Sequence, residues 1–186
     1  MAKQVDTTYG EALFELAKEE GKIDELFDEV SSLIPILNEN EDLIKLLTHP
    51  HIDMDKKKSV VEASFKGRIS DDLTGMMILL TEKEHGGEII HVFEYFLRRV
   101  KKHKNIGLAL VTSAVPLTSG QKAAIEMKLI ETTSYKSVDA AYRVDPSLIG
   151  GLVIRIDDRV VDSSIKTRLA NMSYELRKNY LQKEGA

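Results

Sequence analysis

Over roughly the first hundred residues the apolar positions recur every three or four, the rhythm of amphipathic helices. Tyr9, Ala12, Leu13, Leu16 and Ala17 fall at the i, i+3, i+4, i+7, i+8 spacing that lines one helix face, and Gly21 interrupts it. Ile23, Leu26, Phe27, Val30, Ile34 and Leu37 form a second stripe. Pro35 falls inside it, so a kink or an early end is expected there. Asn40 is placed to cap a third helix running through Leu47, Asp53 a fourth carrying Val60, Val61 and Phe65, and Ser70 a fifth with Leu73, Met76, Met77 and Leu80 inward. Short polar side chains at such positions can accept from the free N–H groups of a first helical turn. A sixth helix carries Ile89, Phe93, Phe96, Leu97 and Val100 and ends in Lys101-Lys102-His103-Lys104, where cations suit a helix C-terminus.

The rhythm changes after Asn105. Ile106, Leu108 and Leu110 alternate as in a strand, and so do Val138, Ala140, Tyr142 and Val144. Between them Thr118-Ser119-Gly120-Gln121 has the form of a capping box opening a helix to about Ile130. Leu148 to Ile156 is a third strand candidate, and Asp157-Asp158-Arg159 a turn into Val160-Val161. Asp162 or Ser163 is placed to cap a last helix with Ile165, Leu169, Met172, Leu176 and Tyr180 inward. The pattern predicts an α+β protein. Residues 1–105 read as a six-helix bundle and residues 106–186 as a small α/β sandwich-like domain.

Composition narrows the chemistry. The net charge of −4 offers no general attraction to nucleic acid or anionic lipid. The absence of cysteine excludes disulfides, thiolate metal sites and a cysteine nucleophile. No apolar run approaches the ~18 residues that cross a bilayer. The start, MAKQVDTTYGEALFELAKEEG, is acidic and amphipathic, unlike a secretory or transit signal, so the expected location is the cytosol.

Each candidate site motif is incomplete. Gly150-Gly151 lies between strand candidates and matches neither a dinucleotide fingerprint nor a P-loop; a bulge or a close backbone approach is expected. Ser163-Ser164-Ile165-Lys166 matches S-x-x-K, but no S-D-N follows and Lys166-Thr167 leads to Arg168. Asp157, Asp158 and Asp162 lack the order of a calcium loop. His49 and His51 flank Pro50 with no third ligand nearby, and His85, His91 and His103 are expected to face solvent. The run Arg98 to Lys104 is the one basic cluster; it contains no aromatic stacking residue and reads as a solvated helix end.

The chain resembles the delta subunit of bacterial F-type ATP synthases, the counterpart of the mitochondrial oligomycin-sensitivity-conferring protein. Tyr9-Gly10-Glu11-Ala12-Leu13-Phe14-Glu15-Leu16-Ala17 is similar to that family's opening Y-A-x-A-L-F-x-x-A. Val111-Thr112-Ser113-Ala114-Val115-Pro116-Leu117-Thr118 resembles its V-x-S-A-x-x-L-[ST] segment. Asp145 to Arg155, then Val161-Asp162-Ser163-Ser164 and Arg168-Leu169, resemble its C-terminal signature. Gly10 departs from the usual alanine; a glycine inside a helix costs about 1 kcal/mol, so a looser first turn is expected.

The resemblance implies a non-catalytic stator subunit at the cytoplasmic side of the cell membrane. It would be peripheral, reaching the membrane only through its complex, with no cofactor, metal, small-molecule substrate or nucleic acid. The helical domain would hold N-terminal helices of the alpha subunits, and the C-terminal domain the end of the b-subunit stalk. Carried over by matching position, the alpha contacts are Tyr9, Ala12 and Leu16 on the first helix and Gly75, Leu79 and Glu82 on the fifth. The alternative is an RNA-binding helical adaptor using residues 98–104. The missing phosphate cradle predicts that the isolated chain binds no ATP; saturable micromolar binding in equilibrium dialysis would contradict this.

Overall fold

A computed structural model describes the backbone of residues 2–184 and the side-chain surroundings of residues 4–176. The chain divides into two compact units, Met1–His103 and Lys104–Ala186. In the first, six helices pack together: α1 (Ala2–Glu19), α2 (Ile23–Glu39), α3 (Glu41–Thr48), α4 (Met54–Phe65), α5 (Asp71–Glu82) and α6 (Ile89–His103), the last entered through a 3₁₀ turn at Gly86–Glu88. Leu13, Phe14, Leu26, Val30, Phe93 and Phe96 are among the fully buried side chains of their shared core.

Helix α1 packs most extensively on α6. Gly10 is buried there, and a methyl group in its place would run into the Tyr95 ring. Tyr95 cannot easily yield. Its hydroxyl donates to Glu11 Oε2 (3.1 Å), and the same carboxylate takes Arg99 Nε at 2.9 and 3.0 Å. The Arg99 guanidinium in turn lies over the Phe14 ring, 4.2 Å from its centre. Burial, and then the Glu11 hydrogen bond, push the Tyr95 phenol above its ordinary pKa. The glycine is therefore the residue the contact requires, and α1 stays helical through it.

Several expected helix ends differ. Helix α2 continues past Pro35 to Glu39. The hydrogen bond Pro35 forfeits would end on the Ser31 carbonyl, and Ser31 and Pro35 are both exposed, so water can replace it. Asn40, Asp53 and Ser70 stand before α3, α4 and α5 but make no side-chain cap. Asn40 Nδ2 instead donates back to the Ile36 carbonyl of α2 (2.8 Å), and the Ser70 N–H goes to Glu29 Oε2 (3.0 Å).

The second unit is built on four strands, β1 (Ile106–Ser113), β2 (Ser137–Val144), β3 (Leu152–Ile156) and β4 (Arg159–Asp162), in the order β2-β1-β3-β4. β1 and β2 run parallel and are joined through α7 (Ser119–Thr132); the other two pairings are antiparallel. The expected capping box forms: Thr118 Oγ1 accepts the Gln121 N–H, and Gln121 Oε1 accepts the Thr118 N–H. A small core of Ala109, Leu129 and Ile156 lies on the side of α7. There Tyr142 donates to Glu126 Oε1 (2.8 Å), and burial and that bond push its phenol up to about 12.

The third strand is shorter than expected. Pro146–Leu148 forms a 3₁₀ turn, and Ile149 turns the chain at φ 67 before β3 begins at Leu152. Gly150 and Gly151 then lie against the chain leading into the last helix, α8 (Ile165–Glu184). A methyl group on Gly151 would strike the Ser163 carbonyl, and one on Gly150 the Ile165 side chain. The cap of α8 is one residue later than expected: Ser164 Oγ accepts the Thr167 N–H, while Asp162 accepts from Ser164 N and Thr167 Oγ1. The stripe Ile165, Leu169, Met172 and Leu176 is not inward; it is 42–68% exposed. Tyr180 lies outside the residues whose side chains are described.

Gly10→Ala is expected to lower stability although alanine favours helix. Overpacking costs about 1–3 kcal/mol, against a propensity gain of about 1 kcal/mol. In the Tyr95→Ala background the same change is expected to raise the melting temperature, so a thermal double-mutant cycle reads the sign directly.

Candidate functional site

Helices α1 and α5 are tied at two points. Lys22, just past α1, pairs with Asp72 in the first turn of α5 (3.5 Å). Tyr9, midway along α1, meets His85, just past α5, with ring centres 6.1 Å apart. The two helices therefore run antiparallel along this side of the bundle. Between the ties, spacing puts Ala12 and Leu16 on one face of α1, and Gly75 and Leu79 on one face of α5.

These side chains are open to solvent. Ala12 and Gly75 are exposed, and Leu16 and Leu79 are 36% and 37% exposed. A Cβ at Gly75 would meet nothing. Two small residues and two leucines thus form an apolar strip that a partner backbone can approach closely. Tyr9 is half-buried and shared with the bundle core. Glu82 is exposed at the strip's outer border, where Lys58 of α4 holds it at 2.6 Å. His85 is half-buried at the end of the strip rather than solvent-facing. It lies outside any helix, so no periodicity marks it.

The other motifs are absorbed by structure. Ser164 and Asp162 are committed to the start of α8. His49 and His51 lie together, with ring centres 5.7 Å apart, but among the described residues no group of three or more metal-ligating side chains forms. In the basic run Arg99 is held by Glu11, and Arg98 reaches Glu94 at 4.0 Å. One cation of the RNA-binding alternative, Arg99, is thus a strut between α1 and α6. Among the described residues no helix is long and apolar enough to cross a membrane.

Comparison with known proteins adds the family. The profile described as "ATP synthase delta (OSCP) subunit" matches residues 5–176. A relative from Lachnoclostridium phytofermentans called "ATP synthase subunit delta" is 48% identical over 178 residues, covering 96% of this chain and 98% of its own. One of the same description from Prochlorococcus marinus subsp. pastoris is 32% identical, covering 96% and 99%. Among solved structures, a chain in the cryo-EM structure of the Toxoplasma gondii mitochondrial ATP synthase hexamer shares the fold. Its TM-score is 0.72 at 15% identity, over 92% of this chain and 96% of that one.

The Lys58–Glu82 pair gives the strip's border a pH dependence. The hydrogen bond from Lys58, and then its charge, hold the Glu82 carboxyl below its ordinary range; the same bond raises Lys58. A lowered carboxyl contributes stability that is complete above the unfolded value of about 4.3 and is lost as pH falls through the folded one. The raised ammonium's share is lost only as pH rises through its own folded value. The melting-temperature difference between wild type and Lys58→Met is therefore expected to shrink as pH is lowered from about 6 to about 3.

Proposed function

We take as premise that the chain belongs to the ATP synthase delta (OSCP) subunit family, a non-catalytic component of the peripheral stalk of F-type ATP synthase, and we propose a division of labour between its two units. The helical unit holds N-terminal helices of the alpha subunits. Residues 106–186 hold the end of the b-subunit stalk. The chain thereby links the catalytic headpiece to the membrane-anchored stalk and resists rotor torque during ion-driven ATP synthesis. It works at the cytoplasmic side of the cell membrane and reaches the membrane only through the complex.

The observation that carries this reading is the strip of Ala12, Leu16, Gly75 and Leu79, left open between two ties on an otherwise well-filled bundle. Bundle core alone would bury such residues. An amphipathic helix laid along the strip would cover both leucines and use the space above Ala12 and Gly75, a helix-in-groove mode. Tyr9 would close one end. Glu82 would offer a border carboxylate already oriented by Lys58.

Ala12→Leu is expected to weaken calorimetric binding of an alpha N-terminal peptide by roughly 5- to 150-fold, the equivalent of an overpacked contact of about 1–3 kcal/mol. The melting temperature should stay where it is, because Ala12 is exposed. A fall in stability with normal peptide binding would refute the groove. Deleting residues 106–186 should abolish binding of the b subunit and leave peptide binding intact.

A further inference from the structure

Helix α8 is rooted at its base and stands increasingly clear of its unit. Ser164 and Asp162 fix its first turn, and Ile165 lies over Gly150. Along the apolar stripe the exposure rises step by step, from 42% at Ile165 to 52% at Leu169, 59% at Met172 and 68% at Leu176. A core face with one edge showing would not open progressively in this way.

The four positions are spaced four, three and four residues apart, the repeat by which one helix pairs along its length with another. With Leu169 and Leu176 at the a positions and Ile165 and Met172 at d, Arg168 and Glu175 fall at g and Lys166 at e. These are the flanking positions whose charges select a partner and its direction. Arg168 and Glu175 are both exposed, and neither side chain makes a hydrogen bond or ion pair among the described residues.

Two copies of this helix laid antiparallel complement each other in one register. Ile165 then meets Leu176 of the second copy, and Leu169 meets its Met172, so that each copy covers the other's stripe. The same register sets Arg168 against Glu175 of the second copy, and the two-fold symmetry makes that pair twice. Lys166 falls opposite Ser173 and not opposite another cation. Parallel pairing would instead set Arg168 against Ser173 and leave its charge unpaired.

We infer that the free chain associates with a second copy of itself through α8, antiparallel, with Ile165, Leu169, Met172 and Leu176 as the seam and two Arg168–Glu175 pairs as its border. The seam is short, about three helical turns on each copy, so the contact belongs with the small, transient interfaces. It concerns the chain alone and goes beyond the division of labour proposed above.

The test is sedimentation velocity of the full-length chain, without other subunits, over a concentration series. Wild type is expected to pass from monomer to dimer. Arg168→Glu and Glu175→Arg each set like charges against each other twice, and each is expected to weaken dimerisation by about tenfold. The double variant Arg168→Glu/Glu175→Arg remakes both pairs with the signs exchanged and is expected to dimerise as wild type does. Both side chains are exposed, so the melting temperature of the monomer should not move in any of the three. The chain has no cysteine, which allows direction to be read by cross-linking. A mixture of Leu169→Cys and Met172→Cys chains under a mild oxidant should give the mixed disulfide in excess over either homodimer.

A wild-type chain that stays monomeric throughout overturns the inference. So does a dimer whose affinity the single reversals leave unchanged, since another surface must then hold it, and so does a double variant as weak as the single ones. An excess of homodimeric disulfides overturns the antiparallel seam. Each of these outcomes leaves the alpha and b contacts standing, because those are measured with the partners present.

Discussion

The helical unit depends on one close approach, that of α1 to α6 at Gly10. The Tyr95 ring occupies the space a side chain would need, and Glu11 holds both the Tyr95 hydroxyl and the Arg99 guanidinium. Together these fix the rotation of α1 about its own axis. With Gly10 facing α6, Leu13, Phe14 and Ala17 are carried into the core. Ala12 and Leu16 are then carried out, toward the side where α5 presents Gly75 and Leu79. The open strip is thus the geometric remainder of a packing decision made on the opposite face of the same helix. Arg99 stacks on Phe14 while paired with Glu11, so the clamp also covers part of the core.

Much of this was legible in the sequence, and the failures share a cause. Period-3.6 stripes located all six bundle helices, and the alternation after Asn105 located the sheet. Both depend on burial, which a stripe reports directly. Capping was less legible, because a short polar residue before a helix need not turn its side chain onto the first turn: Asn40 turns back onto α2, and the Ser70 hydroxyl makes no hydrogen bond. Pro35 does not end α2 early, because the position is exposed and water can replace the missing bond. Glycine at position 10 looked like a local weakness. Its reason lies 85 positions away in Tyr95, which no local pattern can display.

The exposed apolar faces were the hardest to read. The stripe of α8 has the spacing of a core stripe, yet it is exposed. Spacing shows that a face is apolar and cannot show whether its cover comes from the same chain. The same limit applies to Ala12, Leu16, Gly75 and Leu79, whose proposed role comes from family resemblance rather than from pattern. The second unit sharpens the point. Among the described residues its buried apolar side chains are few and mostly small: Ala109, Val111, Ala114, Leu129 and Ile156. A larger share of its apolar surface is open than in the bundle, where whole aromatic rings are enclosed.

The pairing of β1 with β3 has a consequence for biosynthesis. The helices that pack together in the first unit all precede β1 in the chain. β1 itself emerges with both edges bare. Its parallel partner β2 comes only after α7, and its antiparallel partner β3 only when residues 152–156 are out. Long-range pairings of this kind close late, while helical contacts form early. A finished helical bundle therefore coexists, for the time needed to make about fifty more residues at ordinary translation rates, with an unpaired apolar strand. That interval is when the nascent chain is most exposed to wrong pairing and to holdase chaperones, and substitutions that slow closure of β3 onto β1 would show first as reduced yield rather than altered assembly.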